Sequence, residues 1–329
     1  MADIASNKRA HWTLDETSGT SAADSSGNGY TGTYARNASN TTVASAGGGL
    51  GTACSANGTN DRIATSAVIP PGPITISFWA KFSSADVSGM TVLRDNTTLQ
   101  VYRASTTLYW DFGGFSPGVN RISTSIAAVD DKWTHYVLTS TGTSGSPRME
   151  MFFDGVSAAS GSYASQPASS SSLFSICSHT DGSSKAKCEI DDVRIYTRVL
   201  AADDIAALYN LGKPQNTVAP GITGDCIVGQ TLSGTSGTWS DGSVNARKWQ
   251  SATDGSGTGA ADIGGATAAD FTITESELEK YVRYGVQYSN SIGTTWAYSS
   301  WMGPIEAPPS LYRPRCPSFS LSLPTLSLG

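Results

Sequence analysis

An all-β fold is predicted by this 329-residue sequence: an antiparallel jelly-roll β-sandwich, a second and smaller β-sandwich, and a short extended tail. Three observations carry the prediction: period-two alternation in successive segments, turns built from Gly, Asn, Asp and Ser, and sparse charge. Charged residues make up only 15% of the chain, so much of the polar surface must come from Ser, Thr, Asn and 35 Gly, a composition that favours short strands and tight turns. The 8 Trp and 13 Tyr supply enough large apolar area for packed cores although only 39% of residues are hydrophobic. The length suits two domains.

Residues 1–212 read as the first domain. In Ile74-Thr-Ile-Ser-Phe-Trp-Ala-Lys-Phe82, the side chains of Ile74, Ile76, Phe78, Ala80 and Phe82 share one face and Trp79 points to the other, the signature of a strand. Pro70, Pro71 and Pro73 punctuate its start. Further strands are predicted at 108–112, 133–139, 149–153 and 193–196. Asp154-Gly155 after Phe153 is a hairpin signal, because type I′ turns need positive φ at both central residues. One helix is predicted over 201–210. Asp203 and Asp204 occupy its first turn, where they favour the helix dipole, and Ile205, Leu208 and Tyr209 fall on one face.

Residues 213–220, Lys213-Pro-Gln-Asn-Thr-Val-Ala-Pro220, form a linker by composition. Short strands recur at 226–228, 238–239, 247–250, 270–274 and 281–288, and a unit spanning 221–306 matches an immunoglobulin-like sandwich in size and strand count, with Trp249 as its core tryptophan. Residues 307–329 change composition again. Their alternating Leu, Phe and Ser suit an extended arm that docks on a partner by strand addition, and equally a frayed terminus.

A formal charge of −6 and the absence of a basic stripe exclude a phosphate-binding surface for nucleic acid. No run of about eighteen apolar residues occurs, so membrane insertion by a helix is not expected, and no apolar segment follows the first charges. The expectation is synthesis in a cytoplasm without a signal peptide. The sequons at Asn37, Asn40, Asn57 and Asn96 then read as polar turns. The five cysteines, at 54, 177, 188, 226 and 316, show no metal-binding spacing; Cys177 and Cys188 flank a polar turn across which a disulfide is sterically possible, with two reduced thiols as the alternative.

Five segments together resemble the laminin-G-like, concanavalin A-like superfamily: the opening 11–33 with Asp24-Ser-Ser-Gly-Asn28-Gly, the strand Ile74–Phe82, Trp133-Thr-His-Tyr136, Phe153-Asp-Gly155, and Ile190-Asp-Asp-Val-Arg-Ile-Tyr196 with the helix after it. The resemblance spans nearly all of 1–212 and implies a jelly roll that holds a structural calcium ion where its N- and C-terminal segments meet. It assigns Asp24 and Asn28, with Asp191 or Asp192, as ligands, and Asp61 more weakly. Calcium takes six to eight oxygen ligands, which an Asp/Asn/Gly turn offers, although the same residues also stabilise a bare Asx turn. The second unit is similar to bacterial and phage immunoglobulin-like modules through Gly229-Gln-Thr-Leu232, Gly237-Thr-Trp239, Trp249-Gln250, Ile263-Gly-Gly-Ala-Thr267 and Asn290-Ser-Ile-Gly293.

Glu189-Ile-Asp191 resembles the Glu-x-Asp-x-Glu strand of laminarinase-type glycosidases, in which two carboxylates four residues apart perform retaining hydrolysis. Here that second position is Val193, so no enzyme is expected. His11, His135 and His179 have no metal-ligand spacing. Exposed aromatics remain as a handle, since sugars stack on flat rings: Trp79, Tyr109 and Trp110 are candidate ligand contacts, with Tyr102 and Phe115 nearby in sequence. Two functions follow. The first is a non-enzymatic virion structural protein on the outside of a bacteriophage particle, as capsid decoration, head fibre or tail-associated adhesin. Its expected partners are other virion proteins, further copies in a homo-oligomer such as a trimer, and a host-surface glycan. The alternative is an exported bacterial carbohydrate-binding or cell-surface adhesion protein.

Overall fold

The computed structural model describes residues 2–35, 44–45, 50–86, 88–95, 98–112, 120–142, 148–162 and 172–309. Phe115, Cys316, Asn37, Asn40 and Asn96, and all but the start of the tail, lie outside them. Two compact units emerge: Met1–Gln215 with the short segments Asp241–Ser243 and Ser289–Thr295, and the remainder of the chain from Asn216.

The first unit is a sandwich of two antiparallel sheets, eight strands each among the described residues. One runs in the order Val156–Ser162, Arg148–Phe153, Thr134–Ser140, Ile74–Phe82, Lys187–Tyr196, Ala53–Asn57 and Ala44–Ser45, with Lys8–Trp12 also paired to Lys187–Tyr196. The other runs Arg121–Ser125, Thr107–Phe112, Leu99–Ala104, Met90–Arg94, Leu173–Ile176, Arg62–Val68, Gly32–Ala35 and Ser21–Ala22. Strand alternation sets the layers as the sequence predicts. Ile74, Ile76, Phe78, Ala80 and Phe82 all enter the core between the sheets, where they meet Trp12, Trp110, Phe112 and Phe174. The Asp154-Gly155 turn has φ of 51° and 81°, as a two-residue hairpin connection requires.

The outward face of the first sheet is covered in part by the helix Ala202–Leu211. Leu200, Ile205 and Leu208 pack on Val137 and Tyr196 to make a second apolar cluster. Asp204 ties that corner together: its carboxylate accepts from the N–H of Asp3 at 2.6 Å, from Arg198 at 2.8 Å and from the N–H of Ala201 at 3.3 Å, joining the N-terminal segment, the end of the closing strand and the helix start.

Cys177 and Cys188 are free thiols whose sulfurs lie 3.9 Å apart in the core. The hydrogen bond that the Cys177 thiol makes to the Cys188 sulfur, together with burial, pushes the Cys177 thiol well above its usual range, which suits inert packing.

In the second unit, a three-stranded sheet (Gly221–Thr223, Thr231–Thr235, Asp270–Thr272) and a four-stranded one (Ala261–Asp262, Ser243–Ala252, Tyr281–Ser289, Thr294–Tyr298) supply the core around Trp249, which stacks on Phe271 at 5.3 Å and donates to the Ala268 carbonyl. On its outward face rings and cations alternate: Lys248 lies 4.8 Å from Trp296 and 5.7 Å from Tyr298, and Arg283 lies 4.2 Å from Tyr298 and 4.5 Å from Trp301. Each half-buried ring thus has a cation as neighbour.

Replacing Asp204 by Ala is expected to lower unfolding stability by about 0.5–1.5 kcal/mol in urea titrations, because three part-buried hydrogen bonds lose their common acceptor. A change within error would mean that the corner is held by apolar packing alone.

Candidate functional site

The strand Lys187–Tyr196 organises the site. Its alternation breaks in the middle: Cys188, Ile190, Val193 and Ile195 all face the core, so two residues rather than one separate Ile190 from Val193. The register against Ile74–Phe82 shifts between Asp191 and Arg194, and Asp192 takes φ of 50°. This is a β-bulge, with the extra residue in the left-handed region. Residues 187–190 pair with Ala53–Asn57, whereas 193–196 pair with Lys8–Trp12. The bulge therefore sits where the strand changes partner.

The two carboxylates at the bulge diverge. Asp191 accepts from the N–H of Leu50 at 2.7 Å, on the approach to Ala53–Asn57. Asp192 meets His11 Nε2 at 2.6 Å and the Arg194 guanidinium at 2.9 Å, on the side of Lys8–Trp12. Burial alone would raise the Asp192 carboxyl, but His11 and Arg194 outweigh it and hold it below the usual range. Asp191 has no such cation: burial pushes its carboxyl up to about 8, with the Leu50 N–H working against this and the charges of Asp192 and Asp15 adding to it.

The N-terminal turn, which the resemblance brings to the closing strand through a calcium ion, reaches the same junction through His11. Asp24 Oδ1 accepts from the N–H groups of His11 and Ser26, both at 2.9 Å, and Asp24 Oδ2 accepts from the Ser26 hydroxyl and the Tyr30 N–H, both at 2.8 Å. The Ser25 hydroxyl lies 2.8 Å from His11 Nδ1. Asn28 donates its amide to the carbonyls of Lys8 and Arg9. These contacts bear on the calcium ligands that the resemblance implies. A carboxylate offers about four lone-pair sites, and Asp24 has filled them with N–H and O–H donors. Asp192 faces His11 and the Arg194 guanidinium, Asn28 presents its amide N–H groups, and Asp191 points to another loop. Among the described residues no three His, Cys, Asp or Glu side chains converge to hold a metal. The residues present do not fit a calcium ion and do fit the bare Asx turn. Asp61 is likewise used within the fold, accepting from the N–H of Asn57 at 3.0 Å.

Two of the three aromatic candidates are also corrected. Trp110 is fully buried between the sheets. Trp79 does point away from that core, but it too is fully buried, stacked 5.0 Å from His135 and 5.9 Å from Tyr209 of the helix. Alternation assigned its face correctly and could not reveal what covers that face. Tyr109 is half-exposed, with Arg121 over its ring at 4.9 Å and Tyr102 at 6.3 Å. His135 is a packed side chain, 2.8 Å from the Ser77 hydroxyl, and burial pushes its imidazole down to about 3.

The surface feature that sequence reasoning missed is a pocket of about 470 Å³ at the far end of the same strand, lined by Ser55, Asn57, Lys81, Ser83, Lys187 and Glu189 among others. Register explains the lining. Glu189 pairs with Ser55 on one side and Lys81 on the other, and Lys187 pairs with Asn57, so these side chains share the outward face. Lys81 Nζ reaches Glu189 Oε2 at 3.2 Å. Along this strand Val193 is in the core and the next outward residue beyond Asp191 is Arg194, while the pocket's second carboxylate, Asp131, comes from another segment. Asp191 itself is fully buried and does not line the pocket.

Residues 55–206 match a family model described as the concanavalin A-like lectin/glucanases superfamily. That match covers most of the sandwich strands and stops short of the Asp24 turn. No curated protein matches the chain. Among solved structures, the receptor-binding domain of a botulinum neurotoxin C/D mosaic serotype is similar with a TM-score of 0.49 at 11% identity, over 92% of this chain and 81% of that one. Domain 4 of a GH43 extracellular arabinanase from Geobacillus stearothermophilus, in complex with arabinotriose, gives 0.44 at 20% identity, over 62% and 98%. The binding domain of botulinum neurotoxin DC in complex with SialylT gives 0.49 at 12%, over 90% and 79%. The first unit is thus a lectin-type jelly roll by its two sheets and by the family match.

Two expectations follow. Calcium and EDTA should leave the melting temperature unchanged, while Asp24→Ala costs about 1–3 kcal/mol through its lost donors; a calcium-dependent rise in melting temperature would restore the ion. The second concerns pH. The folded-state value of Asp191, about 8, exceeds its ordinary 3.8, so its burial costs nothing below about pH 4, and stability falls as pH rises toward 8. The folded-state value of His135, about 3, lies below its ordinary 6.5, so stability falls as pH drops below 6.5. The slopes oppose each other below 6.5 and that of Asp191 stands alone above it. Asp191→Asn should abolish the decline between pH 6.5 and 8, gaining at most about 1.4 kcal/mol per pH unit in urea melts. An unchanged decline in the variant would place its origin elsewhere.

Proposed function

We propose that this chain is a non-enzymatic structural protein of a virion surface, such as a capsid decoration protein, head fibre or tail-associated adhesin, whose first unit binds a glycan in the Lys81–Glu189 pocket. The observation that carries the glycan reading is the pocket itself, on the outward face of a lectin-type sheet. It presents an ammonium and carboxylate at 3.2 Å beside Lys187, Asn57, Ser55 and Ser83. Such a set both donates to and accepts from sugar hydroxyls, and it has the size of a small-ligand site.

What supports the virion reading is the modular order: a lectin-type unit, then a β-rich unit whose Gly229–Leu232, Gly237–Trp239 and Ile263–Thr267 motifs resemble phage immunoglobulin-like modules. In this reading the second unit is a spacer or attachment module, and self-association into a trimer or other ring multiplies weak glycan contacts into useful avidity.

Intact, host-free particles examined by mass spectrometry and immunogold labelling should contain the chain on their exterior; its absence from particles defeats the virion reading. On a glycan array, the wild-type chain should retain at least one saccharide, and Glu189→Gln should weaken that binding by about tenfold, the loss of one charge-assisted hydrogen bond. No retained glycan, or equal retention by the variant, would remove this pocket from the function.

A further inference from the structure

We propose a second binding site, distinct from the Lys81–Glu189 pocket, that takes the carboxylate of an acidic saccharide: the polar pocket of about 300 Å³ lined by Asn7, Lys8, Arg9, Asn28, Tyr30 and Thr197. The inference rests on its own residues and holds whether or not the first pocket binds a neutral sugar.

Two consecutive cations line it. The register of Lys8–Trp12 against Lys187–Tyr196 shifts between Lys8 and Ala10, so Arg9 is the extra residue of a bulge, and both Lys8 and Arg9 border one cavity instead of alternating across the strand. Among the described residues neither makes an ion pair. The other arginines of this strand system are neutralised, Arg194 by Asp192 and Arg198 by Asp204. The nearest acids are already engaged: Asp24 is filled by four donors, and Asp192 by His11 and Arg194. In a chain of formal charge −6, the pocket is therefore a local surplus of positive charge without a carboxylate in its wall.

The cations are also held in place before any ligand arrives. Arg9 donates Nε to the Val68 carbonyl at 2.8 Å, and its guanidinium lies over the Tyr30 ring at 4.8 Å, which fixes the plane and leaves both Nη groups for an anion. Asn28 grips the Lys8 and Arg9 carbonyls at 3.0 and 2.9 Å. Among the described residues the one side-chain hydrogen-bond contact of Lys8 Nζ is His11 Nδ1 at 3.5 Å, which leaves further N–H groups to donate. Burial, reinforced by Arg194, lowers its ammonium from the usual range, with the more distant charges of Asp192 and Asp24 working against the shift. The Tyr30 hydroxyl makes no hydrogen bond among the described residues. Donors thus dominate, which selects an anion. The cavity is larger than a carboxylate or phosphate alone, and its Thr197, Asn7 and Asn28 walls suit the hydroxyls of the sugar that carries the charge.

Isothermal titration of the full chain at low salt with galacturonate oligomers, sulfated dextran oligomers, inorganic phosphate and neutral maltooligosaccharides tests this. Galacturonate should bind, weaken as salt rises, and lose at least tenfold in affinity in Lys8→Gln/Arg9→Gln, while Lys8→Arg retains it and Glu189→Gln leaves it unchanged. Melting temperatures of the variants establish that they fold, and Lys8→Gln alone serves if the double variant does not. Galacturonate binding that is absent, or that survives the Lys8 and Arg9 substitutions, overturns the site. Phosphate or sulfated dextran bound as tightly as galacturonate overturns the acidic-saccharide assignment. Loss of galacturonate binding in Glu189→Gln instead would assign the ligand to the first pocket.

Discussion

The structure of the first unit depends on one extra residue in one strand. Lys187–Tyr196 must pair with Ile74–Phe82 along its whole length on one edge, and on the other edge it serves two strands that cannot occupy the same place, Ala53–Asn57 and then Lys8–Trp12. The bulge at Asp191–Asp192 makes that exchange possible. It also restores Val193 and Ile195 to the core, because a period of two without the extra residue would have turned them to the outside. The two carboxylates then receive the incoming segments, Asp191 through the Leu50 N–H and Asp192 through His11.

Electrostatics at the bulge are asymmetric for a physical reason. Asp192 sits between an imidazole and a guanidinium and stays charged, whereas Asp191 is buried with one N–H donor and one oxygen lacking any partner. Removing a partner from a buried charge is far more costly than exchanging the whole pair for apolar groups, so such a pair contributes register more than stability. That fits its position. A slip of one residue in this strand would separate Asp192 from His11 and push Ile190 outward together.

Much of this was legible in the sequence. Alternation in Ile74–Phe82 assigns both faces correctly, Asp154-Gly155 predicts its hairpin, and the spacing of Ile205, Leu208 and Tyr209 predicts the helix stripe that covers Val137 and Tyr196. The bulge was legible too, since apolar residues at 188, 190, 193 and 195 break the period by one. The meeting of the Asp24 turn with Asp192 was anticipated, but His11, which mediates it, reads in the sequence as an isolated histidine. Trp79 was not legible as a buried residue, because strand periodicity tells which side a ring takes and nothing about a helix packing on that side. The pockets were invisible for a related reason. Their walls are assembled by register across three or four strands, and each contributing residue, such as Ser55 or Lys187, is unremarkable alone.

The bulge also determines what the outward face can do. From Glu189 the outward sequence is Glu189, Asp191, Arg194, Tyr196, and each position meets a different environment: an open pocket, a buried gap, an ion pair with Asp192, and the apolar underside of the helix. A hydrolytic pair would need two solvent-accessible carboxylates on that face near each other, and the strand supplies one in the pocket and one sealed away. Arg194 occupies the next outward place, where it neutralises the bulge. The residue that stabilises the strand crossing is thus the one that follows Asp191 on the outward face, and the second carboxylate of the pocket, Asp131, comes from a different segment. A sheet built this way lines its pocket with ammonium, carboxylate, amide and hydroxyl groups brought together by register.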